Sequence, residues 1–416
     1  MEPTVLVRAA IGRLRHMSFA PRTVIAGVVF AFVALCFMGR EAATKNVHKD
    51  FVRFTQYIAP DTKYYATVNE MTSIVRERIK PGQILVVVGG NSVLYGVGQP
   101  RDKIWTKALQ AELGDAYLVV NFAFRGSLPT DGAAVAAEAL RNEFPRQIYI
   151  ANAAPGQDPN PEGSLVYRFM FWDAWAKGYL DKHDANRNAK IALSHANPAL
   201  QLRNGFVELR IRNWLDRWLY FQDFWNDVTV ARFNTVWGVY MPWLTRFLQP
   251  RNNYADPEPD FINDIPLKNR FLAENMEIEM ANVRGTSQYA FYPDKTPEGK
   301  WKVYEPLWTQ FSEGVRSSFP EALKKRTLIL MSNNSPYYIN RLLPDEIERN
   351  GLSYALAVRK WEEAGYASIE YGKDFHPTQD FGDRTHLTWK GGEKLAKVTA
   401  DKVRAMSVQL GYLPTK

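Results

Sequence analysis

Four short segments of this chain hold side chains whose types and spacing suit nucleophilic chemistry. Near residue 90 stands Gly89-Gly90-Asn91-Ser92. A serine at a tight turn entering a helix exposes its hydroxyl, and the helix N-terminus offers backbone N–H groups to an anion. The same residues also make an ordinary turn with a capping serine. The stretch Asn121-Phe-Ala-Phe-Arg-Gly126 ends in a glycine whose missing Cβ lets the backbone approach a ligand. It serves equally as a turn glycine. Asn152, in ANAAPG, has a side-chain N–H able to meet a developing oxyanion or to cap a turn.

The fourth segment is Asp380-Phe-Gly-Asp383-Arg-Thr-His386-Leu-Thr-Trp-Lys-Gly-Gly. Asp383 and His386 are close enough in sequence for a turn to join carboxylate and imidazole. That pairing fixes the histidine tautomer and leaves the second ring nitrogen free to take a serine proton. A surface histidine beside an acidic turn is the plainer reading. The chain has 6 histidines; His376 is the other one in this loop.

These segments fall where a parallel sheet would present them. Ile84 to Gly90 (ILVVVGG) is a continuous apolar run, typical of a strand buried on both faces. Ala116 to Phe122 and Gln147 to Ala151 read as two more strands. Residues 46–80 read as helical and polar, and 101–113 and Asp131 to Asn142 also read as helices. After Lys325 come a strand at Arg326 to Met331, a helix at Leu352 to Gly365, a strand at Ala367 to Tyr371 and a helix at Lys390 to Leu410. The alternation predicts an α/β fold with a parallel sheet, and ligands bind at the carboxyl ends of such strands.

The rhythm breaks between 160 and 321. Residues 206–247 read as aromatic-rich amphipathic helices, so the chain is expected to form an α/β domain in two parts, 46–159 and 322–416, around a helical insertion at 160–321. Seven tryptophans lie between Trp172 and Trp243. Such an insertion suits a lid, a sugar-stacking groove, a membrane-facing dock or simply the core of a helical cap.

Residues 1–22 are rich in arginine, and 23–39 are expected to form a transmembrane anchor. Its run TVIAGVVFAFVALCFM (Thr23 to Met38) is uncharged and about 24 Å long as a helix, a short span. Arg8, Arg13, Arg15 and Arg22 on its N-terminal side put the N-terminus in the cytoplasm and the body outside. A cleaved signal peptide lacks a good small-x-small site in GREAATKN, and a lipoprotein signal at Cys36 is opposed by the large Leu35.

The composition excludes several classes. The net charge of +8 is spread thinly, with no basic stripe for nucleic acid. With 1 cysteine there is no internal disulfide and no cysteine metal site. A phosphate loop is absent: neither GK[ST] nor G-x-G-x-x-G occurs at the glycines. Nothing calls for a cofactor or a metal.

Together these residues resemble the SGNH (GDSL-like) hydrolases. Gly90-Asn91-Ser92 matches the family's first block, Gly126 the second, and Asp383-x-x-His386 with HLTWKGGEKLA the last. The chain departs where Asn91 replaces the usual aspartate and ANAAPG replaces Gly-x-Asn-Asp. The resemblance implies a flavodoxin-like three-layer domain and a Ser92, Asp383, His386 triad. It also implies oxyanion donors at Gly126, Asn152 and Asn91. The layout of anchor, early serine, large insertion and late Asp-x-x-His resembles the DltD-like and polysaccharide O-acetylation branches. That implies a bacterial inner-membrane protein with its body in the periplasm and a membrane-bound O-acyltransferase as partner. Its substrate would be an envelope polysaccharide or glycolipid. The rival class is a non-catalytic scaffold on the same fold.

Overall fold

The structure, a computed structural model, describes residues 20–44, 52–53, 57–59, 62–63, 68–130, 132–159, 174, 179, 276–288 and 290–414. Helix α1 (Pro21–Thr44) is followed by a small antiparallel pair, β1 (Tyr57–Ala59) and β2 (Thr62–Lys63), and by α2 (Val68–Arg78). Residues 46–80, expected to be helical, thus hold a strand pair ahead of their helix. The first α/β units are β3 (Ile84–Val88), α3 (Ser92–Tyr95), α4 (Trp105–Leu113), β4 (Tyr117–Asn121), α5 (Gly132–Leu140) and β5 (Gln147–Ala153).

After the long segment come α6 (Met276–Gln288), a hairpin of β6 (Phe291–Lys295) and β7 (Trp301–Val303), and α7 (Glu305–Ser317). The chain closes with α8 (Glu321–Lys324), β8 (Thr327–Ser332), α9 (Pro336–Ile339), α10 (Pro344–Glu363), β9 (Ala367–Tyr371) and α11 (Trp389–Gln409). The hairpin and α7 lie within the segment expected to be a helical insertion. α7 packs into the core through Trp308, Phe311 and Val315, as a crossover helix between two sheet strands does. The aromatic run at 206–247 lies outside the described residues.

Five strands form one parallel sheet in the order β4-β3-β5-β8-β9. This is the flavodoxin-like order, with its switch point between β3 and β5. Strand periodicity divides the side chains between two cores. Leu85, Val87, Tyr149, Ala151, Ile329 and Met331 face one, closed by α2, α5, α7 and α10. Ile84, Val86, Val88, Ile148, Ile150, Leu328 and Leu330 face the other, closed by α4, α11 and α6. The result is three layers.

α11 matters most for the site. It follows the edge strand β9 in the chain, yet Leu395, Ala396, Ala400 and Val403 share the core with Leu109 and Leu113 of α4. The loop before it therefore carries the chain back from β9 across the carboxyl ends of the strands, and the helix starts against Trp105 and packs along α4. The stretch 23–39 lies within α1, where Ile25, Val28, Val29 and Phe30 are exposed. Among the described residues no helix is long and apolar enough to cross a membrane.

Candidate active site

Gly89 and Gly90 follow β3 directly. Gly90 has φ +88°, and a Cβ there would lie 2.2 Å from Asn152 Oδ1, so only glycine fits. Asn91 then caps α3, its side chain accepting the N–H of Val93 at 3.0 Å. Ser92 is the first helical residue.

The short helix is braced from several sides. Leu94 O accepts the indole N–H of buried Trp105 at 2.7 Å and the amide of Asn121 at 3.1 Å. Arg53 donates to Gly96 O at 2.6 Å and to Tyr95 O at 3.3 Å. A four-residue helix cannot hold itself in water; these contacts do it.

Ser92 Oγ stands 2.8 Å from His386 Nε2. His386 Nδ1 stands 2.7 Å from Asp383 Oδ2. The other oxygen of Asp383 accepts the backbone N–H groups of Thr385 at 2.8 Å and His386 at 2.7 Å. One carboxylate thus closes its own turn and orients the imidazole, which is what the Asp-x-x-His spacing permits. Burial acts to raise the Asp383 pKa. The His386 ring and the two backbone N–H groups outweigh it, holding the carboxyl down at about 2. Asp383 is therefore ionised at neutral pH. His386 keeps 20% of its side-chain surface, so the relay is sheltered yet open to a ligand.

The loop carrying His386 is pinned along its length. Gly382 N donates to His386 O at 2.8 Å, Thr388 N to Asp380 O at 2.9 Å and Ser335 N to Arg384 O at 2.8 Å. Arg384 reaches Glu279 Oε2 on α6 and Asn334 Oδ1 beyond β8, each at 2.8 Å. At the start of α11, a Cβ on Gly391 would meet Asp380 O at 2.1 Å. The two glycines of the HLTWKGG run are there for close packing.

The expected oxyanion residues fall in three different situations. β5 continues through Ala153, because β8 pairs with it as far as Ala153↔Met331. Asn152 therefore lies inside a strand rather than after one, and its Oδ1 accepts the Asn91 N–H at 3.0 Å. Gly126 lies in the turn after β4 with φ +73° and is exposed. Asn91 spends its side-chain oxygen on the cap. Among the described residues nothing accepts the Ser92 N–H, the Gly126 N–H or the Asn152 Nδ2 protons. Gln99, Trp105, Arg53 and Arg384 were missed from sequence; no spacing marks residues that act through tertiary hydrogen bonds.

No family model matches the chain, and no curated protein sequence matches it. Among solved structures it is similar to Est24, a carbohydrate acetylesterase from Sinorhizobium meliloti. The likeness spans 78% of this chain and 100% of that one, with 13% identity and a TM-score of 0.30. A score that low lends the assignment no weight, and the site must be judged on its own geometry.

Proposed function

We propose that this chain is a serine esterase or acyltransferase that moves O-acyl groups through an acyl-serine. The observation that carries this reading is the continuous relay from Ser92 Oγ to His386 to Asp383, at 2.8 Å and 2.7 Å. His386 Nε2 takes the hydroxyl proton as Ser92 Oγ attacks the ester carbonyl. The imidazolium, held by ionised Asp383, returns that proton to the departing alkoxide. Water or a sugar hydroxyl then attacks the acyl-serine, with His386 again as base. The N–H groups of Ser92 and Gly126 and the Asn152 amide are the free donors for the oxyanion.

The finer reading places the enzyme at a bacterial inner membrane, anchored by 23–39 with its body in the periplasm. Its substrates there are O-acyl groups on an envelope polysaccharide or glycolipid, and a membrane-bound O-acyltransferase is its partner. The exposed apolar side chains of Ile25, Val28 and Phe30 on α1 support an anchor, and the apolar run continues to Met38, past the side chains that are described. Polymer and partner rest on the layout of the sequence alone.

A fluorophosphonate probe and a p-nitrophenyl ester test the chemistry. The wild type should be labelled at Ser92 and should hydrolyse the ester; Ser92→Ala and His386→Ala should lose both. An unlabelled wild type would leave a scaffold, and full activity in Ser92→Ala would end the assignment. Carbonate extraction of membranes tests the anchor: the full chain should stay bound and a chain lacking 1–44 should be released.

A further inference from the structure

Ser92 and His386 come from opposite ends of the chain, so their 2.8 Å contact depends on whatever holds the two segments together. One buried side chain spans them. Gln99 lies seven residues after Ser92 and is fully buried. Its Oε1 accepts the Trp105 backbone N–H at 2.8 Å. The Trp105 indole in turn holds Leu94 O, within the helix that Ser92 begins, at 2.7 Å. On its other side Nε2 donates to Leu387 O at 3.3 Å and to Thr388 O at 3.4 Å. Those are the two residues after His386. The fit is tight: a Cβ on Gly392 would come within 2.9 Å of Gln99 Nε2, and one on Gly96 within 3.1 Å of its Oε1.

We propose that Gln99 is a positioning residue for His386. Its amide sets the register of the histidine segment against the serine turn. An acceptor and a donor on one short planar group suit this task. A side chain lacking either leaves the Trp105 N–H or the Leu387 carbonyl buried and unpaired, while Thr388 O keeps the Gly392 N–H at 2.8 Å. This inference rests on the reading of Ser92 as nucleophile and His386 as its base.

The test compares the full chain with Gln99→Met, which keeps volume and loses the hydrogen bonds, and with Gln99→Glu. In folded Gln99→Met, probe labelling and kcat should fall by about 10²-fold, the cost of a base displaced by roughly an ångström, while KM stays within about twofold of wild type. Gln99→Glu should recover activity when its buried carboxyl is protonated and able to donate. Its activity relative to wild type should therefore drop as pH rises through about 7 to 9, the range of buried glutamates. A purely structural role would lower the melting temperature and leave labelling per folded molecule unchanged.

Wild-type labelling and kcat in folded Gln99→Met would overturn the proposal. If that variant fails to fold, a pH-independent Gln99→Glu ratio would overturn it. An inert wild type would sink the serine-nucleophile reading instead. The downfield Nδ1–H proton resonance of His386 then decides: broadened in the Gln99 variants it supports the positioning role, unchanged it refutes it.

Discussion

The side-chain carbonyl of Asn152 accepts the backbone N–H of Asn91 at 3.0 Å, linking β5 to the turn that carries Ser92. With Oδ1 engaged there, the amide can offer only its Nδ2 protons to a ligand. Among the described residues nothing accepts those protons, so the residue keeps a donor free. Asn152→Asp should therefore separate the two jobs. The carboxylate still accepts from Asn91, but it brings no proton and adds negative charge beside a forming oxyanion. The expected loss is about 10²–10³-fold in kcat, the range seen when one oxyanion donor is removed. Steady-state hydrolysis of a p-nitrophenyl ester measures it, and an unchanged kcat would remove Asn152 from the oxyanion site.

Asp383 predicts a distinct acid response. Its folded-state pKa of about 2 lies below its ordinary 3.8. A carboxyl depressed on folding stabilises the native state above its unfolded pKa and loses that contribution as pH falls through the folded one. The shift corresponds to about 2 kcal/mol. Urea midpoints for wild type and Asp383→Asn should therefore differ most at pH 6 and converge between about pH 4 and pH 2. A gap that stays constant with pH would show that the carboxylate is not held by His386 in solution.

Much of this site was legible because its parts are local. The β-branched run at Ile84–Val88 fixes a strand buried on both faces, and the residues after it must then lie at the sheet's carboxyl edge. Asp383 and His386 share one turn, so their spacing alone suggested the pairing. The failures have a different origin. The boundary at Asn152 was misjudged because a neighbouring strand, β8, extends the ladder through Ala153. The helix expected from Leu352 starts eight residues earlier, at Pro344. The proline occupies the first helical turn, with Glu346 closing onto the Leu343 N–H at 2.9 Å. Gln99 and Arg53 left no local trace at all.

Two positive-φ glycines near the site should respond oppositely to alanine. At Gly90 an added Cβ would sit 2.2 Å from Asn152 Oδ1, whereas at Gly126 it would meet nothing within 4 Å. Both substitutions carry the left-handed backbone cost of about 1–2 kcal/mol. Only Gly90→Ala also pushes the Asn152 amide off the Asn91 N–H. Gly126→Ala should melt slightly lower and retain most of its activity. Gly90→Ala should lose probe labelling even in its folded fraction. Equal activity in the two variants would contradict the placement of Asn152 against Gly90.

Arg384 joins the triad loop to the far end of the long segment between β5 and β8. It stands next to Asp383, and its Nε meets Glu279 Oε2 at 2.8 Å, on the first described helix after residue 179. Its second contact, to Asn334, also lies at 2.8 Å. The Arg384 and Glu279 side chains are 27% and 29% exposed, so water screens the pair only in part. Removing either residue should loosen the turn that aims His386, and removing both should cost little more than removing one. A double-mutant cycle with Glu279→Ala and Arg384→Ala should give a coupling of about 1 kcal/mol in both stability and kcat/KM. Arg384→Lys should not restore the wild type, because a single ammonium cannot reproduce the planar fork that reaches Glu279 and Asn334 together. Strict additivity would show that α6 and the histidine loop are neighbours without being energetically linked, and changes in the long segment would then have no route through Arg384 to the triad.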